Sequence, residues 1–160
     1  MQIVKGDLLQ DNNDWDCLIH CCNLFHTMGG GIAYYIKKKY PEAFQADLET
    51  ENGDESKLGT FSKAKVNNNT KIIYNLYAQN GIGNDGHPLN RNLSYDHLYN
   101  GLWKIMEDIM KEYPFGCVVG IPAWIGCGLA GGDVNIVKAI SHEINNNFGY
   151  IDINVYKLEK

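Results

Sequence analysis

The chain has 160 residues, 44% of them hydrophobic, which is enough to bury one good core and fits a single domain. A net charge of −5 and a pI near 5.4 argue against a nucleic-acid backbone as the main partner, and no apolar run is long enough to cross a bilayer. The N-terminus lacks a signal-peptide pattern, and the five cysteines, an odd count mostly in buried-strand patterns, read as reduced thiols, so a cytoplasmic protein is expected.

Strand and helix signals alternate along the chain. Gln2 to Lys5 is a short strand that ends at Gly6-Asp7. Asp16 to Asn23 reads DCLIHCCN, with Cys17 to Cys21 as a buried strand. In LFHTMGGGIAYYIKKKYPEAF, which follows, Gly29, Gly30 and Gly31 open a helix running from Gly30 to Lys39. Pro41 stops that helix, which resumes from Glu42 to Leu48. Lys37, Lys38 and Lys39 form a solvated helix face, and Glu49 to Lys57 is an acidic surface loop. Phe61 to Val66 and Lys71 to Tyr77 are strands joined by the turn Asn67-Asn68-Asn69. Asn80 to Asn92 is a long loop of the kind that is mobile or functional.

Ser94 can cap the next helix, whose apolar stripe is Leu98, Leu102, Ile105, Met106 and Ile109. Cys117 to Ile121 is continuously apolar, as a central strand buried on both faces should be. Four glycines follow within seven residues: Gly126, Gly128, Gly131 and Gly132. A last helix spans Asp133 to Asn145, with Ile136, Val137, Ile140 and Ile144 inward, and Ile151 to Leu158 closes the chain as a strand. With no internal repeat and no linker, these elements predict a three-layer α/β/α sandwich around a largely parallel sheet.

Two strand–glycine–helix units in one small domain suggest a ligand with two phosphates. Bare glycine loops bring unpaired N–H groups close to an anion, and a helix N-terminus favours negative charge. The spacing is neither the dinucleotide fingerprint nor the P-loop, whose lysine is absent. No CxxC pair or Cys/His spacing suggests zinc, so neither a metal nor a cofactor is expected. Cys127, inside the second loop, has no base in its immediate sequence to make it a nucleophile.

From end to end the chain resembles a macro domain, the ADP-ribose-binding module. The matching stretches are IVKGDLL, DCLIHCCN, MGGGIAYYIKKKYPEAF, KIIYNLYAQ and IPAWIGCGLAGGD, in the family's order and spacing. Within the family it is most similar to small proteins that remove the phosphate from ADP-ribose 1″-phosphate, and it is related to the terminal ADP-ribose protein glycohydrolases. The resemblance implies one macro domain over residues 1–160, a mixed six-stranded sheet, and a ligand cleft at the strand ends. It implies that Asp7 accepts from the adenine amino group beside Leu8, and that Asn23 binds the distal ribose. Met28, Gly29, Gly30, Gly31 and Ile32 would cover the diphosphate from one side. Ile125, Gly126, Cys127, Gly128, Leu129 and Ala130 would cover it from the other, and Tyr156 and Leu158 would wall the adenine pocket.

Two departures bear on chemistry. Where the glycohydrolases carry a lysine and an aspartate this chain has Gln79 and Ala130, which opposes lysine-dependent removal of ADP-ribose from protein carboxylates. Val134 also stands where relatives continue with tryptophan. A metal-free phosphatase needs charge stabilisation by the glycine loops and a positioned water. Asp133 is the candidate general base or water-orienting group, and His20 the candidate acid or second partner. His26 and His87 are further histidines within possible reach of a terminal phosphate. The expected activity is hydrolysis of ADP-ribose 1″-phosphate. The alternatives are an ADP-ribose-binding module without turnover, or a glycohydrolase acting on ADP-ribosylated protein or nucleic acid.

Overall fold

Every second residue of a strand faces the same way, and that alternation sorts this chain into two cores. The computed structural model describes residues 1–81 and 91–159. In strand β2 (Cys17–Asn23), Cys17 and Ile19 point to one face of the sheet, and Leu18 and Cys22 to the other. Strand β4 (Lys71–Gln79) repeats the division, with Ile72, Tyr74 and Leu76 on the first face and Ile73 and Tyr77 on the second.

The remaining elements are β1 (Gln2–Lys5), α1 (Gly31–Lys39), α2 (Pro41–Leu48), β3 (Phe61–Val66), α3 (Tyr95–Glu112), β5 (Cys117–Pro122), α4 (Val134–Asn147) and β6 (Ile151–Lys157). The sheet order is β1-β6-β5-β2-β4-β3, parallel throughout except for β3, which runs antiparallel to β4. Helices α3 and α4 cover the first face and α1 and α2 the second, giving the expected three layers and mixed six-stranded sheet.

Local chemistry explains the boundaries. Ser94 caps α3 by accepting from the His97 N–H, and its whole stripe from Leu98 to Ile109 is buried. Asn67, Asn68 and Asn69 all take positive φ in the β3–β4 turn, a conformation that asparagine tolerates better than most residues. Pro41 starts α2 rather than only ending α1, since a first-turn proline sacrifices no helical hydrogen bond. On α4, Val137 and Ile144 are buried and Ile140 packs against the core. Ile136, expected to face inward, is 42% exposed, and Ser141 is buried in its stead through a bond to the Val137 carbonyl. No helix among the described residues is long and apolar enough to cross a membrane.

Candidate functional site

Because five of the six strands are parallel, loops leaving β1, β2, β5 and β6 gather at one edge of the sheet. They enclose a cleft of about 1310 Å³, more than a drug-sized ligand fills. At one end, the chain leaving β1 is tied to β6 by the Gly6 N–H, which donates to the Lys157 carbonyl at 3.0 Å. Asp7 follows at the cleft wall, its Oδ1 accepting from the Leu9 N–H at 2.9 Å, which leaves Oδ2 as an acceptor for a ligand. Leu8 is buried beneath it, its carbonyl held by Trp15 Nε1 and Asn13 Nδ2. Tyr156 and Leu158 also line the cleft.

The two glycine loops form the long walls. Asn23, Met28, Gly29, Gly30, Gly31 and Ile32 line one side, and Ile125, Gly126, Gly128, Leu129 and Ala130 the other. Among the described residues, nothing accepts from the backbone N–H groups of Met28, Gly29, Gly30 or Gly31. Unpaired N–H groups at the start of a helix are what an anion site requires. In the second loop Gly126 has φ +75, and a side chain there would meet Leu93 at 2.7 Å, so only glycine fits. The Gly132 N–H closes that loop onto the Gly126 carbonyl at 2.9 Å.

Three expected site residues are not part of the cleft lining. Cys127 is half-buried behind the second loop, and burial with Asp133 nearby pushes its thiol up to about 11. Asp133 is exposed and caps α4, its Oδ1 accepting from the Asn135 and Ile136 N–H groups at 2.8 and 3.3 Å. Asp133 thus caps the helix through one carboxylate oxygen, and it is not among the residues that line the cleft. His20 is fully buried on the face covered by α1 and α2, and desolvation lowers its pKa to about 4. The ring is thus held in the core and is not among the residues that line the cleft. His26 instead bonds Thr50 through Nε2 at 3.0 Å, and His87 lies outside the described residues.

His20 is nevertheless connected to the cleft. Asn75 Nδ2 donates to the Ala43 carbonyl and to Ser62 Oγ, so its Oδ1 must accept from His20 Nε2 at 2.6 Å, which fixes the tautomer. The Tyr77 hydroxyl donates to Asp47 Oδ1 at 2.7 Å, so Ser62 Oγ–H must donate to Tyr77. The chain of donors therefore runs in one direction, from His20 to the buried carboxylate of Asp47 at the cleft wall. An amide in the middle cannot pass a proton, so the chain orients groups without relaying protons.

Sequence reasoning missed several lining residues. Thr27 lines the cleft, its Oγ1 accepting from Asn23 Nδ2 at 2.7 Å, with its own hydrogen left to donate. Gln79, Asp47, Trp124, Tyr35 and Lys38 also line it. So does Cys21, whose thiol burial pushes up to about 12, unsuited to act as a nucleophile. Only Gln79 had a signal, as the departure from the lysine of the glycohydrolases. Among the described residues no group of three or more His, Cys, Asp or Glu side chains is placed to hold a metal ion.

No protein-family model matches the chain. It is 32% identical over 143 residues to an uncharacterized 17.5 kDa protein of Enterobacteria phage T4, covering 88% of this chain and 86% of that one. Shorter matches reach ADP-ribose 1″-phosphate phosphatases. That of Aspergillus oryzae is 49% identical over 41 residues, covering 26% of this chain and 20% of the enzyme. That of Saccharomyces cerevisiae is 45% identical over 40 residues, covering 25% of this chain and 23% of the enzyme.

Among solved structures, a Bacteroides thetaiotaomicron protein superposes with a TM-score of 0.77 at 25% identity, covering 98% of both chains. The macrodomain of Mycobacterium tuberculosis DarG gives 0.72 at 21% identity, over 97% of both chains. Thermosipho africanus DarTG, solved in complex with ADP-ribose, gives 0.70 at 19% identity, over 99% of this chain and 42% of that one. Over nearly its whole length, then, the chain has the fold of the macrodomains.

Proposed function

We propose that the cleft binds ADP-ribose and that the protein hydrolyses ADP-ribose 1″-phosphate to ADP-ribose and inorganic phosphate. The observation that carries the reading is the run from Met28 to Gly31, whose N–H groups are unpaired among the described residues, lining one cleft together with the Gly126–Ala130 loop. Such a pair of loops suits a diphosphate, and Asp7 at one end suits the adenine amino group. The short matches to two ADP-ribose 1″-phosphate phosphatases, and the ADP-ribose complex of DarTG, support the substrate class.

The chemistry follows from what lines the far end. In a loose phosphoryl-transfer transition state the main demands are charge stabilisation and a positioned water, with little need for a strong base. The N–H groups of the first loop and the Thr27 hydroxyl donate to the phosphoryl oxygens. The Gln79 amide orients the attacking water. Water oxygen bonds to phosphorus as the bond to the ribose oxygen breaks, and a proton given up by that water passes to the leaving ribose oxygen.

A second reading, an ADP-ribose-binding module without turnover, is favoured by one observation: the Asp133 carboxylate and the His20 ring both stand apart from the cleft lining. Phosphorus NMR of ADP-ribose 1″-phosphate with the protein and a chelator separates the two. Free phosphate at catalytic protein concentration supports the phosphatase. Shifted diphosphate signals without free phosphate support the binding module, and unchanged signals overturn both.

A further inference from the structure

The first glycine loop is a strained segment, with His26 at φ +56 and Met28 at φ +38. Neither residue favours that conformation, which persists only where the surroundings hold it. Two lysines that are not part of the cleft lining grip the loop. Lys57, buried at the end of the segment after α2, places Nζ 3.0 Å from the Leu24 carbonyl and 3.0 Å from Thr50 Oγ1. Its ammonium also sits 4.9 Å from the centre of the Tyr77 ring, and it makes no ion pair among the described residues. Lys37, half-buried on α1, donates to the Thr27 carbonyl at 3.1 Å and lies 4.9 Å from the Phe44 ring.

Thr50 joins the grip to the loop a second time. Its hydroxyl donates to the Asp47 carbonyl at 2.6 Å, so it must accept from both Lys57 and His26, which fixes the His26 proton on Nε2. The Gly53 N–H donates to the same Leu24 carbonyl at 2.7 Å. Desolvating a lysine is costly, and the nearby carboxylates of Asp47, Asp54 and Glu51 offset that only in part, which makes its bonds around the loop informative. A loop whose carbonyls are drawn to one side is left to present its N–H groups to the other.

We propose that Lys57 and Lys37 are positioning residues for the anion cradle: by holding the Leu24 and Thr27 carbonyls from behind, they keep the free N–H groups of Met28 to Gly31 turned into the cleft. This rests on the reading of the cleft as an ADP-ribose site, and it adds what prepares that site before the ligand arrives.

The test compares Lys57→Met, Lys37→Met and Lys37→Arg with the wild type. In unliganded protein, amide correlation spectra of both methionine variants should display shifted or broadened Gly29, Gly30 and Gly31 resonances. In calorimetry, Lys37→Met should weaken ADP-ribose roughly tenfold while leaving adenosine unchanged, and Lys37→Arg should restore it. A purely structural role would instead lower the melting temperature and both affinities together. Unchanged glycine resonances in a folded Lys37→Met variant overturn the proposal, whether or not the wild type binds ADP-ribose. Should Lys57→Met fail to fold, Lys37→Met decides alone. Failure of the wild type to bind ADP-ribose overturns the functional reading and leaves the spectra to judge the positioning.

Discussion

Leu129 lies over Gly30: a methyl group added at Gly30 would stand 2.9 Å from Leu129 Cδ1. The two glycine loops therefore touch through one flexible side chain, and Leu129 is itself 58% exposed. Gly30 has φ −144, so alanine is conformationally free there and the effect of Gly30→Ala is purely steric. The side chain of Leu129 must swing aside, into or away from the cleft mouth. Gly30→Ala is expected to weaken ADP-ribose binding about tenfold, as overpacking of 1–2 kcal/mol would do. Adding Leu129→Ala should recover most of that loss, and calorimetry of the single and double variants measures the coupling.

Gln79 offers a second handle on chemistry. It is half-buried at the end of β4 and lines the cleft near Asn23, which pairs with it in the sheet register. Gln79→Ala should lower turnover of ADP-ribose 1″-phosphate by roughly a hundredfold while leaving ADP-ribose affinity within a factor of about two. Equal loss of affinity and turnover would make Gln79 a binding group instead.

Asp133 can be tested by separating capping from chemistry. Asp133→Ala removes the acceptor for two N–H groups at the start of α4 and should cost about 1 kcal/mol of stability. Asp133→Ser keeps a cap and should restore stability. If serine also restores turnover, the aspartate acts through the helix. A stable serine variant without turnover would return Asp133 to the reaction.

His20 sets a pH dependence of folding. Its folded pKa, about 4, lies below the ordinary value of 6.5, so the unfolded chain binds the extra proton between those limits. Stability from this group is complete above pH 6.5 and is lost as pH falls through 4. The amount is about 3 kcal/mol, from the difference in pKa. His20→Gln removes the titration, so its denaturation midpoints should fall less steeply than those of the wild type between pH 6.5 and 4.

Local signals in the chain carried most of the architecture. The strands declared themselves through apolar runs, α3 through Ser94 and its stripe, and the cleft walls through two glycine clusters that no helix interior would tolerate. What escaped was set by register and tertiary approach. His20 reads as a site residue because it stands three positions before Asn23, yet the alternation of β2 turns it toward α2 and Asn75. Asp133 looks the same in sequence whether it caps a helix or serves a ligand. Thr27 and Asp47 meet at the cleft only because α2 folds back behind the first loop, and the chain between them carries no mark of it.

The pairing of β1 with β6 has a consequence for how the protein is made. β1 has β6 as its neighbour in the sheet, with Gln2 opposite Asn154 and Lys5 opposite Lys157. Asp7 and Leu8 are thus anchored by a strand that is synthesised after both glycine loops. Closing so long a chain segment is slow and is rewarded only when β6 docks between β1 and β5. A chain arrested before Ile151 would carry both glycine loops without the strand that holds Asp7 and Leu8 in place, so the two ends of the cleft are completed at separate steps of synthesis.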